Sequence, residues 1–213
     1  MSRSSSDSRP GITIVSEFGR LVRGRRMPRA YTAEPVDSVV VDEILDLARR
    51  GPSAGKTDSL QFLVLNGADV ARYWDTTLPV DTRSSFPWPQ LLDAPVLVIP
   101  WVEPGAYVRR YREADKARTG LGDGQDAWSV PYWWVDGGAA VMTILLAAAD
   151  ADLGALLFGL FEHEDDVRSE FGVPDGFRAI GTISLGHPAP DRPSMSAGRK
   201  RPPFDTVVHR GDW

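Results

Sequence analysis

Two overlapping patterns in one short segment carry the clearest signs of chemistry in this chain. Gly51-Pro52-Ser53-Ala54-Gly55 fits G-x-S-x-G, which places a nucleophilic serine on a tight strand-to-helix turn, and Gly51 to Thr57 nearly spells a phosphate-binding loop. Both fail on context. The segment leaves a helical pattern and enters a strand-like one, the reverse of what either motif needs, and three residues separate Gly51 from Gly55 where the phosphate loop has four. Gly120-Leu121-Gly122-Asp123-Gly124 has no strand before it and reads as a loop. The acidic run Glu162 to Asp166 around His163 lacks metal-ligand spacing and sits where a helix begins, so its charges complement the helix dipole. The chain has no Cys, which removes thiolate catalysis and Cys-ligated metal sites.

The basic residues are more informative. Arg20, Arg23, Arg25, Arg26 and Arg29 crowd ten positions without one acid, and Arg199-Lys200-Arg201 forms a second knot near the C-terminus. The chain as a whole is acidic, at 24 Lys+Arg against 29 Asp+Glu, so a global field that would hold nucleic acid is absent. Two separated basic knots in such a chain are either solvated surface or a converging clamp for one anion. Each charge-assisted hydrogen bond to a phosphate contributes about 1.5–3 kcal/mol.

The elements that must position these residues follow from periodicity. Ile12, Val15, Phe18 and Leu21/Val22 recur at helical spacing, and a second helix starts after Asp37, carries Val40, Val41, Ile44, Leu47 and Ala48, and stops at Gly51-Pro52. Leu60 to Leu65 predicts a strand closed by Asn66-Gly67, Ala68 to Asp75 a short helix, Pro95 to Val102 a second strand, and Tyr107 to Arg118 a charged helix. After a Gly- and aromatic-rich loop, Val135 to Ala149 predicts a helix buried on most sides. Ala155 to Phe161 and Phe177 to Leu185 predict strands around a helix at Glu164 to Phe171. Strands and helices interleave without a regular βαβ rhythm, which is an α+β class. At 213 residues, 42% hydrophobic and 25% charged, the expectation is one domain over residues 12–213 behind a frayed, Ser-rich arm at residues 1–11. That arm has no apolar run and Ala139 to Ala149 is about half a bilayer span, so the chain reads as cytoplasmic, with no membrane partner.

Taken in order, these pieces resemble the flavin-dependent nitroreductase family, from Phe18 to the C-terminus. Arg25-Arg26-Met27-Pro28-Arg29-Ala30-Tyr31 is similar to the family's opening R-R-S-x-R-x-[FY] stretch, and it is followed by Glu34-Pro35-Val36 and the helix that ends in Ala48 to Gly55. Leu153 to Gly159 resembles the central Gly-rich strand, and Arg199-Lys200-Arg201-Pro202 the closing basic signature. The resemblance implies a three-layer sandwich with a central mixed sheet, a homodimer whose core is the helix from Val135, and one FMN in each interface cleft. It assigns Arg25, Arg26 and Arg29 to the phosphate and pyrimidine edge, with Arg199 and Arg201 closing on the phosphate. Ser53, Ala54 and Gly55 would pass near the ring, the backbone amides around Gly159 and Leu160 would point at flavin N5, and Phe158 would be a further cofactor-binding position. Trp128, Tyr132 and Trp133 are the candidates for the substrate pocket, stacking over the ring, with core packing the equal alternative for two of the three.

The chemistry so implied is hydride transfer from NAD(P)H to the flavin and onward to a nitroaromatic, quinone or conjugated acceptor. Alternatives are a protein that only sequesters flavin, or a flavin-dependent dehydrogenase or oxidase of a small metabolite. Where relatives read S-x-x-N-x-Q-P-W, this chain has Ser53 to Leu60 with Lys56 and Asp58 in place of the amides, and Met27 replaces a serine. An Asp58 charge at the pyrimidine edge would oppose an anionic reduced flavin, and a deazaflavin in place of FMN is a further possibility.

Overall fold

A computed structural model describes residues 16–193 and 198–213. The arm at residues 1–11 and the first helical positions, Ile12 and Val15, lie outside the described residues. Helix α1 (Glu17–Gly24) starts where the Ser16 hydroxyl accepts from Gly19 N, at 2.9 Å. Helix α2 (Ser38–Ala48) starts at the expected cap, with the Asp37 carboxylate accepting from Val39 N, also at 2.9 Å. Strand β1 (Leu60–Asn66) then turns at Gly67, whose φ of 52° suits a residue without Cβ, into α3 (Ala68–Thr77).

Strand β2 (Val96–Val102) is buried along its whole length, and α4 (Pro104–Tyr111) follows. That helix starts earlier than the expected Tyr107 because Pro104 suits a first turn, where no backbone N–H is needed. It also ends at Tyr111 instead of Arg118, and short 3₁₀ turns follow. Helix α5 (Tyr132–Asp150) is longer than the expected Val135–Ala149, since Trp133 is already anchored in a core cluster. By length and composition it is the one described helix long and apolar enough to cross a bilayer, and Gly137, Ala140, Val141, Ile144, Leu145 and Ala148 are buried in this fold.

Strand β3 (Gly154–Phe158), helix α6 (Glu164–Phe171), the short β4 (Arg178–Ala179) and β5 (Thr182–Gly186) complete the strands and α-helices of the described residues. The expected strand from Phe177 to Leu185 is thus two strands, broken at Gly181, whose φ is 148°. The sheet order is β1-β2-β5-β3, with β4 against the end of β2. Every pairing among the described residues is antiparallel, which corrects the expected mixed sheet: no two hydrogen-bonded neighbours run the same way.

The period of two along β2 separates the layers. Val96 and Val98 face α2 and α5, together with Ile183, Leu185 and Ala155. Leu97, Ile99 and Trp101 face α3 and α6, meeting Val70, Tyr73, Trp74 and Val167. The result is helix, sheet, helix.

Candidate functional site

The Ser53 turn is built from both sides. Ala54 N donates to Asp136 Oδ2 at 2.8 Å, and the buried Tyr107 hydroxyl donates to the same oxygen at 2.7 Å. Burial, with the neighbouring Asp136 charge, pushes the Tyr107 phenol well above its ordinary range. Thr57 Oγ1 donates to Ala54 O at 2.6 Å, and Arg110 Nε donates to Gly55 O at 2.8 Å. Gly55 sits at φ 66°, and a Cβ there would meet the Tyr111 ring at 2.7 Å. Ser53, Thr57, Asp58, Ser59, Tyr107 and Asp136 line a small cavity of about 80 Å³. Asp136 was not among the residues expected from the sequence; its signal was a carboxylate within a long apolar helix.

A second cavity, of about 370 Å³, lies between the end of α1 and the start of β3 and is lined by Arg25, Arg26, Pro28, Leu153 and Gly154 among others. Arg25 Nε and Nη1 are buried there and, among the described residues, have no hydrogen-bond partner. Two orphaned donors on a fixed cation suit an anion. Arg26, expected beside Arg25 on the phosphate, has another role: its Nη1 donates to the carbonyls of Arg23, Gly24 and Arg25 at 2.9–3.0 Å, closing the C-terminal end of α1.

A third cavity, of about 350 Å³, opens beside the end of β3. Phe158, Gly159, Leu160 and Arg29 line it. Its walls are aromatic: Tyr73, Trp74, Phe86, Trp88 and Phe161 join Phe158. Trp74 stacks on Phe158 at 5.8 Å between centroids and 10° between planes. The Tyr73 hydroxyl is bonded to Thr182 Oγ1 at 2.8 Å, and burial pushes its pKa up to about 12. Arg29 lies over the Trp88 ring at 5.1 Å, Arg192 lies over the same ring at 4.3 Å, and Arg29 N donates to Asp191 Oδ2 at 2.7 Å. The segments at Arg29, Trp88 and Arg192 therefore brace one another.

The loop aromatics divide between the two expected readings, core packing and an open face. Trp128 and Trp133 are only 6% and 5% exposed and pack with Val102 and Tyr107, a core cluster in which Trp128 Nε1 donates to Leu121 O at 3.0 Å. Neither lines the third cavity, nor does the exposed Tyr132. Within one chain the Ser53 turn, with Asp58, also stands apart from Arg29 and Gly159 in its own cavity. Arg199 and Arg201 are exposed, and among the described residues no hydrogen bond or ion pair ties either to Arg25.

A sheet with helices on both faces agrees with what similarity shows. The chain matches the model of the Nitroreductase family over residues 22–187 and belongs to that family, which makes it an oxidoreductase. It is 27% identical over 172 residues to a protein named putative NADH dehydrogenase/NAD(P)H nitroreductase from Methanothermobacter thermautotrophicus, covering 79% of this chain and 75% of the relative. It is 26% identical to a 4-nitrobenzoate reductase of a Nocardioides species, covering 92% and 91%. In fold it is similar to the crystal structure of a nitroreductase family protein from Streptococcus pneumoniae TIGR4, with a TM-score of 0.70, 18% identity, and 91% and 100% of the two chains covered.

Proposed function

We propose that this chain is an FMN-dependent oxidoreductase that takes electrons from NAD(P)H and delivers them to a nitroaromatic, quinone or conjugated acceptor. The observation that carries the proposal is Arg25, two of whose buried nitrogens, Nε and Nη1, have no partner among the described residues and fit an anionic phosphate. Arg199 and Arg201 are the further cations assigned to that phosphate. Arg29 takes the pyrimidine edge, where its charge favours the anionic reduced form by Coulomb attraction. The backbone of Phe158, Gly159 and Leu160 is assigned to the N5 side, and the packed faces of Trp74 and Phe158 exclude water from that end. FMN supplies hydride chemistry at N5 when bound, and no side-chain nucleophile is required.

A homodimer completes the reading. Ser53, Ala54, Gly55 and Asp58 stand apart from Arg29 within one chain, so a second copy supplies them to the cleft. Support comes from the apolar side chains exposed on two helices that pack together: Val135 and Met142 on α5, Val39 and Leu47 on α2. The test is a fluorescence titration of FMN into the purified protein and its Arg25→Ala variant. Affinity should fall at least about tenfold on losing these charged hydrogen bonds. Equal affinity would remove Arg25 from the phosphate.

A further inference from the structure

Phe161 has a backbone that its own side chain disfavours. Its φ is 48°, in the left-handed region that a bulky residue avoids, and its neighbours in this region are glycines at most other turns of the chain. Burial does not compensate, because the residue is 83% exposed, against 6% or less for Trp74 and Tyr73 deeper in the same cavity. Its ring lies across Gly159: a Cβ on that glycine would meet three ring atoms at 2.7–2.9 Å. The bare glycine is what gives the ring its seat. Phe161 opens the 3₁₀ turn Phe161–His163, but neither that turn nor burial requires an exposed aromatic ring in a costly conformation at the mouth of an aromatic cavity, and such outliers gather at ligand sites.

The cavity is layered. Trp74, Tyr73 and Phe158 form the inner part, while Phe161 stands outermost beside the segment assigned to flavin N5. Molecules that must enter and leave meet the outer ring, and a planar aromatic molecule gains most from it. We infer that Phe161 is the residue that sets specificity for the electron acceptor, offering its ring to a planar aromatic acceptor that enters beside Gly159. This inference rests on the flavin oxidoreductase reading.

The experiment uses the FMN-loaded protein and three variants, Phe161→Ala, Phe161→Tyr and Phe161→Gly. Benzamide, an aromatic probe that is not reduced, is titrated against the oxidised protein and followed through the perturbed flavin absorbance. Its dissociation constant should rise roughly three- to tenfold in Phe161→Ala, the size of one aromatic contact, and return to the parent value in Phe161→Tyr. The KM for nitrobenzene should rise by the same factor with kcat held within about twofold, as for a lost binding contact. Phe161→Gly, freed of the φ penalty, should melt at the parent temperature or above it, whereas a structural ring would lower the melting temperature.

Unchanged benzamide binding in Phe161→Ala, or a Tyr variant as weak as Ala, would overturn the inference. So would a tenfold loss of FMN affinity in Phe161→Ala, which would place the ring on the cofactor. If the parent protein binds no FMN at all, the flavin reading falls and this role falls with it; bound FMN with unmoved benzamide affinity removes the role of Phe161 alone.

Discussion

The turn at Ser53 and the cleft at Arg25 are both places where polar groups leave solvent, and they are satisfied in opposite ways. At the turn every donor and acceptor named above meets a protein partner: Ala54 N and the Tyr107 hydroxyl converge on one Asp136 oxygen, and Arg110 and Thr57 hold the Gly55 and Ala54 carbonyls. At the cleft, Arg25 Nε and Nη1 are buried and meet no partner among the described residues. A buried donor left unpaired costs about 1–3 kcal/mol, more when charged, so the fold tolerates there what it avoids at the turn. The turn is therefore held in shape by the chain's own groups, whereas among the described residues the Arg25 donors at the cleft are left unmatched.

That contrast can be broken by mutation. The largest effect should come from Arg25→Ala combined with Arg201→Ala, which removes two charges assigned to one phosphate. FMN affinity should fall by more than about a hundredfold, while urea unfolding of the protein without FMN should show equal or higher stability, because among the described residues Arg25 Nε and Nη1 have no partner to lose and their removal lifts the cost of unpaired buried donors. The turn should behave the other way. Asp136→Leu strands the Tyr107 hydroxyl and Ala54 N–H together and should lower unfolding stability by about 3 kcal/mol in urea titration. A destabilised Arg25 variant or an indifferent Asp136 variant would erase the distinction.

The wall of the aromatic cavity has its own signature in alkali. Burial holds Tyr73 neutral, with its pKa raised from 10.0 to about 12, so its contribution is fully present below pH 10 and is lost as pH climbs through 12. The loss amounts to about 2–3 kcal/mol. Stability measured between pH 9 and 12 should fall along this course, and Tyr73→Phe should flatten the slope without abolishing it, since Tyr31 and Tyr107 are shifted the same way. A slope unchanged in Tyr73→Phe would mean the phenol is not held neutral by burial. The smallest effect belongs to the exposed Asp58. Asp58→Gln should raise the flavin midpoint potential slightly in a spectroelectrochemical titration, and an unmoved or lower value would place Asp58 away from the ring.

Much of the scaffold was legible in the sequence because local physics decided it. Asp37 capped α2 as its position before an apolar helical face required, and β1 and β2 fall where short apolar runs meet turn residues. Arg29 and the Phe158-Gly159-Leu160 stretch do share a cavity. What escaped the sequence was set by distant contacts. Phe86 and Trp88 lie in a segment punctuated by Pro79, Pro87 and Pro89, without periodicity to place them, and only the fold brings them to Arg29. Trp128 and Trp133 share the composition of a ligand-stacking loop with that of a core, and packing against Tyr107 decided for the core. Asp136 was lost among apolar neighbours, and Arg26, alike in sequence to Arg25, differs because its guanidinium folds back onto its own helix end. The pairing of strands was equally illegible, since no local signal orders β1, β2, β5 and β3.

The most direct test of the flavin assignment is the visible spectrum of the protein saturated with FMN, recorded without oxygen before and after adding NADPH and then NADH. The account predicts a bound, perturbed flavin band that bleaches with one of the two donors. A protein that binds no FMN, or a bound band that persists after both additions, would contradict it.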